Sequence, residues 1–240
     1  MATDHVLMDR ARVTGEWVLR LYSWVRPTLS LGRNQPARGL YDMAAVHRHS
    51  VEIVRRPTGG RAILHHREVT YSVTGPARTA GSLSESYARV NRLLVDGLRR
   101  LGVDAALADS EGATPVPSAK PCFDLPSAGE LVSGGRKLVG SAQWRERDAL
   151  LQHGSILIDD DQPLVSALLC RPTMPPPEPA TLRGLLGRAP TLDEVAAAFR
   201  AALAESGCDV APLPEPDEEM RNAIASAATR YADDAWTWRH

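Results

Sequence analysis

Apolar residues along this chain recur sometimes every three to four positions and sometimes every second one, and the switches between the two periods outline the elements. Residues Ala2 to Val13 place Val6, Leu7, Met8 and Ala11 toward one side and predict an amphipathic helix. Trp17 to Trp24 alternates like a strand, and Pro27 interrupts the pattern before a short TLSLG segment. The breaker-rich GRNQPARG then turns the chain into a short helix near Tyr41 to His49 and the strand VEIVRRP. RRPTGGRAILHHREVTYSV reads as a strand, a glycine loop and a second strand. Residues Ser82 to Leu101 carry the strongest helical spacing, with Leu83, Tyr87, Val90, Leu94 and Leu98 on one face and Gly102 closing it.

A strand near Val103 to Ala108 follows, then the polar, proline-containing DSEGATPVPSAK. Glycine-flanked Lys137 is followed by a small-residue turn at Gly140, Ser141 and Ala142, and a second strand-like run carrying Gln152 and His153 precedes a short helix at Gln162 to Leu169. The Pro-rich segment 171–181 cannot be regular structure, because proline removes a donor and fixes φ; it reads as a connecting or wrapping segment. Leu182 to Leu186, Leu192 to Ser206 (capped by Thr191) and Asp217 to Tyr231 are further helical stretches, and the tail DDAWTWRH is expected to dock by its tryptophans. Strands and helices are interspersed without a βαβ rhythm. The pattern predicts one α+β domain over residues 1–240, with a mixed β-sheet flanked by helices.

Composition narrows the function classes. At 240 residues the chain can bury a substantial core, and 43% hydrophobic with 24% charged residues is ordinary for a globular protein. A net charge of -1 gives no global pull toward nucleic acid or a membrane surface. Three well-separated cysteines, no CxxC, no secretory leader and no long apolar run lead to the expectation of a reducing cytoplasm. A metal site is not expected: His65 and His66 are adjacent, and neighbours on a strand point to opposite faces.

Candidate chemistry gathers at three places. Gly59 and Gly60 let the backbone approach a ligand, and Arg55, Arg56 and Arg61 around them suit an anion or a carbonyl. A tight glycine hairpin with solvated arginines explains the same residues equally well. Only two lysines, Lys120 and Lys137, stand against 26 arginines. A lysine kept between Arg136 and Leu138 suggests work that a planar, always-charged guanidinium cannot do, although a solvated surface lysine remains an alternative. Cys122, set off by proline and phenylalanine, is a candidate nucleophile if a cation lowers its pKa; an isolated cysteine is also a common inert core residue, the role expected for Cys170 and Cys208. Ser141 lies in GSA and not in the GxSxG of a serine nucleophile, and no GxxxxGK[ST] phosphate loop occurs.

Taken together in order, RRPTGGRAILHH, EVTYSV, CFDLPS, GRKLVGSAQ and LQHGSI resemble the lipoate–protein ligase A and octanoyltransferase family, over nearly the whole chain. MATDHVL is similar to the family's first helix, and LYSWVRPTLSLGRNQ to its next two strands. The family usually has a strand ahead of that helix, whereas this chain begins inside the helix motif, which bears on stability more than on chemistry. EVTYSV stands where ATP-dependent ligases show a GNLN-like segment, and those ligases lack a cysteine at the position of Cys122. The resemblance is therefore to the cysteine-dependent octanoyltransferase branch, with a fold like the biotin/lipoate protein ligase catalytic domain.

The resemblance implies that Cys122 takes the acyl group as a thioester and that Lys137 contacts its carbonyl. It implies a site lined by Arg55, Arg56, Thr58, Gly59, Gly60 and Arg61, with His66, His153 and the turn Gly140, Ser141, Ala142 and Gln143. Leu138, Leu64 and Tyr71 are candidates to line a tunnel for the acyl chain. The implied donor is octanoyl-acyl carrier protein. The implied acceptor is a lysine of a lipoyl-domain protein, either the glycine cleavage H protein or a 2-oxoacid dehydrogenase subunit. No cofactor is required on this reading and a monomer is expected. The alternatives are a cysteine-dependent amidotransferase moving octanoyl between lipoyl-bearing proteins, a ligase using ATP and Mg, and a non-catalytic acyl- or lipoyl-domain-binding module.

Overall fold

The structure, a computed structural model, describes residues 1–108, 129–174 and 176–240. Helix α1 (Ala2–Thr14) buries Leu7, Met8 and Ala11 as its spacing predicts, and it also buries Asp4, which periodicity alone gives no reason to expect. Strand β1 (Val18–Tyr22) leads to β2 (Thr28–Leu31), α2 (Met43–Arg48), β3 (Glu52–Arg55), β4 (Ile63–His65) and β5 (Glu68–Pro76). Helix α3 (Leu83–Arg100) begins at a capping box in which Ser82 and Glu85 satisfy each other's backbone N–H groups, an arrangement worth about 1 kcal/mol. Leu83, expected in the core, is the first residue after that cap and stays exposed. The strand expected over Val103 to Ala108 shortens to β6 (Ala106–Leu107), followed by β7 (Leu131–Ser133), β8 (Arg136–Glu146) and β9 (Ala149–Leu157). The remaining helices are α4 (Pro163–Ala167), α5 (Leu182–Leu186), α6 (Leu192–Glu205), α7 (Glu218–Ala232) and α8 (Asp234–Thr237).

Among the described residues six strands pair in the order β1-β5-β9-β8-β7-β6, every pairing antiparallel. The mixed pairing lies in a second, three-stranded sheet, β3-β2-β4, where β2 runs parallel to β3 and antiparallel to β4. One core forms where α3 and α6 pack on the large sheet: Val90, Leu94 and Leu98 meet Val195 and Phe199 over Val69, Tyr71 and Leu138. Helices α1 and α7 pack together, and α1 lies along β5 and β9. A second core joins Leu29, Leu31 and Leu64 of the small sheet to Ala45 and Val46 of α2 and Val165 of α4. The described part of the Pro-rich segment has no regular structure and runs beside β8, where Ala180 N–H donates to the Lys137 carbonyl. Cys170 and Cys208, expected to be buried, are both exposed: one lies just past α4, the other just past α6. No helix among the described residues is long and apolar enough to cross a membrane.

Candidate active site

A narrow cleft opens where the centre of the large sheet faces the small one. Its large-sheet wall is the middle of the β8–β9 hairpin, where Gly140 pairs with Ser155, Ser141 with Gly154 and Ala142 with His153. Gly154 is required there: a Cβ at this position would sit 2.2 Å from the Gly140 carbonyl oxygen and 2.6 Å from the Tyr71 ring. The small-sheet wall consists of Ser30, Ile63 and His65, with Arg56 and Gly60 of the glycine loop. Tyr22 and Trp24 close one side. The enclosed volume is about 40 Å³, room for a few waters.

Beneath the hairpin wall lies a buried chain of hydrogen bonds. Tyr71 OH donates to Ser141 Oγ (2.6 Å), and Gln152 Nε2 donates to Tyr71 OH (3.3 Å) and Asn91 Oδ1 (2.7 Å). Asn91 in turn donates to the Gly129 carbonyl (2.7 Å), and Gln143 donates to Ser86 Oγ (2.9 Å). Burial pushes the Tyr71 phenol well above its ordinary range, so it acts as a donor. This network ties the Gly140–Gln143 stretch to Gly129, whose N–H donates to the Ala108 carbonyl. Ala108 and Gly129, the described residues on either side of the segment 109–128, are thus held together. Cys122, the candidate nucleophile, belongs to that segment and lies outside the described residues.

Lys137, three residues before Gly140 on β8, is buried, with its ammonium 2.7 Å from a carboxylate oxygen of Glu130, itself buried. It is absent from the innermost lining of the cleft. The surface-lysine alternative is excluded: an ammonium is kept inside only where a carboxylate meets it.

The glycine loop is braced by its own arginine. Arg56 donates to the carbonyls of Ser30 (2.8 Å), Gly59 (2.8 Å) and Arg61 (2.7 Å), and so holds the loop against β2. Arg55, expected at the site, points away from the cleft. It is fully buried and donates to the carbonyls of Gly32 (2.6 Å), Gln35 (2.8 Å) and Thr237 (2.8 Å). Trp236 Nε1 returns a bond to the Arg55 carbonyl (2.8 Å), so the tail docks through a tryptophan as expected. Thr58 is buried and meets His153 Nε2 at 2.6 Å, joining the loop to β9. Burial lowers the His153 pKa to about 3, which keeps the ring neutral at pH 7. Gly59 is exposed and Arg61 half-buried.

His66 is the candidate that the structure sets apart. It falls in the bend just after β4 and lies outward, half exposed and 3.3 Å from Asp161, while His65, the last residue of the strand, takes the cleft. His65 stacks on Trp24 (ring centroids 4.4 Å apart, 15° between planes) and pairs with buried Glu68 at 2.7 Å. Trp24 Nε1 donates to Thr70 Oγ1 (2.7 Å), whose hydroxyl donates to the same Glu68 oxygen. Leu138 and Tyr71 belong to the first core and Leu64 to the second; the apolar wall of the cleft is made by Tyr22, Trp24 and Ile63. Asp4 was also missed. Burial alone would raise its pKa, but the Met1 amino group, Arg20 and a bond from Ser72 (2.8 Å) outweigh that and hold it below the usual carboxylate value. Among the described residues no cluster of His, Cys, Asp and Glu could hold a metal ion.

A family model described as the lipoyl protein ligase A/B catalytic domain matches residues 1–204. The octanoyltransferase LipM of Kyrpidia tusciae is 41% identical over 258 aligned residues, covering 100% of this chain and 93% of that protein. The octanoyltransferase LipM of Bacillus subtilis is 35% identical over 242, covering 92% and 86%. A lipoate-protein ligase A solved with bound ATP superposes with a TM-score of 0.81 at 20% identity, covering 99% of this chain and 92% of that one. A chain from the structure of a bipartite lipoate protein ligase and its E2 lipoyl domain from Thermoplasma acidophilum gives 0.78 at 19%, covering 99% and 89%. At such identities the superpositions speak for the fold.

Proposed function

Because the chain belongs to the lipoyl protein ligase A/B catalytic-domain family, we propose that it is an octanoyltransferase of lipoate biosynthesis. The donor is octanoyl-acyl carrier protein and the acceptor a lysine of a lipoyl-domain protein, such as a glycine cleavage H protein or a 2-oxoacid dehydrogenase subunit. The observation that carries this reading is the full-length likeness to octanoyltransferases, and the cleft agrees with it. Its inner side is apolar, with Tyr22, Trp24 and Ile63 to receive a hydrocarbon, and its other wall is the glycine-bearing hairpin. At about 40 Å³ the walls must part to admit eight carbons.

Transfer runs in two steps. The Cys122 thiolate attacks the donor carbonyl; a carbon–sulfur bond to Cys122 forms, the donor's breaks, and the carrier leaves as its thiolate. A neutral lysine amine of the acceptor then attacks the Cys122 thioester. The amide C–N bond forms, the sulfur leaves as thiolate, and the extra proton on nitrogen passes to solvent. Exchange of thioester for thioester is nearly balanced and amide formation is downhill, so no ATP is needed. Lys137, drawn from its pairing with Glu130, and N–H groups of Gly140 to Gln143 stabilise the oxyanion in both steps, an effect of about 10²–10³ in rate per donor. Neutral His153, through Thr58, holds the glycine loop over the bound acyl group, and Arg56 keeps that loop's shape.

The test is direct. Purified protein, octanoyl-acyl carrier protein and apo lipoyl domain should give octanoylated lipoyl domain in buffer free of nucleotide. Product that forms only from free octanoate, ATP and magnesium would make the protein a ligase instead.

A further inference from the structure

Three arginines gather beside the glycine loop, and among the described residues no carboxylate meets them. Arg33 follows Gly32, which packs so tightly on the glycine loop that a Cβ would lie 1.9 Å from the Gly60 carbonyl oxygen. The Arg33 N–H donates to the Thr58 carbonyl (2.8 Å), and its guanidinium lies 5.4 Å from the centroid of Trp144, three residues beyond Ser141 on β8. Arg239 donates through Nη2 to the Arg33 carbonyl (2.5 Å). The Arg239 guanidinium is 4.0 Å from the Trp236 ring centroid, and that of Arg230, near the end of α7, is 4.1 Å from the same ring. Two like charges are therefore held within about 8 Å of each other, a separation at which they repel. Burial, Arg33 and Arg230 all push the Arg239 pKa down.

Several arginines elsewhere meet acids, as Arg20 meets Asp4, Arg67 meets Asp161 and Arg188 meets Glu194, and the buried Arg55 and Arg56 meet backbone carbonyls. Among the described residues no carboxylate lies within ion-pair distance of Arg33, Arg230 or Arg239. Asp233 is occupied in capping α8, and Glu146 faces Arg12. The chain as a whole is slightly acidic, so the patch is a local concentration of positive charge beside the glycine loop.

We propose that Arg33, Arg230 and Arg239 form the docking surface for an acidic carrier protein that delivers the acyl thioester. The proposal rests on the octanoyltransferase reading and adds the face at which the donor binds. Of the two protein substrates, the acceptor is defined by a lysine that reacts as a neutral amine and gains nothing from this patch. A carrier with an acidic face, whose acyl arm is attached through a phosphodiester, brings negative charge that the patch attracts. Side chains beside a site steer encounter and set salt dependence more than they alter the chemical step.

The test compares donors. Arg33→Glu, Arg230→Glu and Arg239→Glu are assayed with octanoyl-acyl carrier protein and with octanoyl-pantetheine, a thioester without carrier or phosphate, the apo lipoyl domain being varied separately. Each reversal should raise KM for the carrier donor about 5–10-fold and flatten the fall of kcat/KM with salt. It should leave KM for octanoyl-pantetheine and for the lipoyl domain within about twofold. Unchanged carrier KM in all three variants overturns the proposal, as does a rise in the lipoyl-domain KM instead. Arg230 is exposed on a helix, so its variant keeps the test decisive if either of the others folds poorly. Failure of the wild-type protein to use octanoyl-pantetheine and carrier donor alike would count against the octanoyltransferase reading itself.

Discussion

On the large-sheet wall of the cleft, Tyr71, Gln152 and Asn91 bond side chain to side chain beneath a hairpin whose register already puts Ser141 opposite Gly154. At the small-sheet wall and behind it, two adjacent arginines bond almost wholly to backbone carbonyls: Arg56, in the wall, to its own loop, and Arg55, behind it, to Gly32, Gln35 and, far along the chain, Thr237. The first wall is shaped by strand pairing and finished by side chains. The second has little ladder to rely on, because β4 is only three residues long, and buried cations supply the donors that a wider sheet would have supplied. A wall built that way depends on single side chains, which makes the contrast measurable.

The largest effect is expected at Arg55. Arg55→Met fills a similar volume but takes a charged donor from three buried carbonyls, of which that of Gly32 keeps the Gln35 N–H, and should cost about 3–5 kcal/mol in denaturant unfolding. Limited proteolysis should then release the tail, which Arg55 and Trp236 hold between them. A loss below about 1 kcal/mol would mean that the small-sheet wall stands without its arginine.

Next in size is a pH effect where the two walls meet. The His153 pKa falls from 6.5 in the unfolded chain to about 3 in the fold, so the unfolded state binds the extra proton between those values. Stability is therefore full above about pH 6.5 and declines as pH falls toward 3, by up to about 1.4 kcal/mol per unit. Asp4, with its pKa lowered below 3.8, adds its own loss only at lower pH still. His153→Gln should flatten the slope of Tm against pH between 6.5 and about 4; an unaltered slope would place the titrating group elsewhere.

How far the sequence foretold the two walls follows the same contrast. The run carrying Gln152 and His153 was legible as a strand because its length and composition decide it locally, whereas Gly140, Ser141 and Ala142, expected to form a turn, lie inside β8, where pairing with Ser155, Gly154 and His153 keeps small residues extended. The glycine loop was legible as a loop, but not the direction of its arginines, since Arg55 finds its partners in the loop that follows β2 and at Thr237. His65 against His66 turns on where β4 ends: His65 is its last residue, on the face toward β8 and β9, and His66 begins the bend, a boundary that no spacing rule fixes. Trp24, Glu68 and Thr70 surround His65 through contacts that no spacing rule reports. Asp4 looked like one acidic residue in the first turn of a helix, and only the third dimension brings Arg20 and Ser72 to it.

The smallest effect sharpens the assignment of the two histidines. His66→Ala removes a half-exposed ring and its contact with Asp161, and should change stability by no more than about 0.5 kcal/mol while leaving octanoyl transfer near the wild-type rate. His65→Ala takes a ring out of the Trp24 stack at the cleft and should impair transfer. Equal losses in the two variants would show that this difference in placement has no functional meaning.

The central claim is that the octanoyl group rests on Cys122 between donor and acceptor. Mixing the protein with octanoyl-acyl carrier protein and withholding the lipoyl domain should add the mass of one octanoyl group. Peptide mapping should place it on Cys122, hydroxylamine should remove it, and added apo lipoyl domain should discharge it as amide. Cys122→Ser should fold and form no such adduct, because a serine hydroxyl is a far weaker nucleophile near neutral pH. An adduct on exposed Cys170 or Cys208, or normal transfer by Cys122→Ser, would contradict the account.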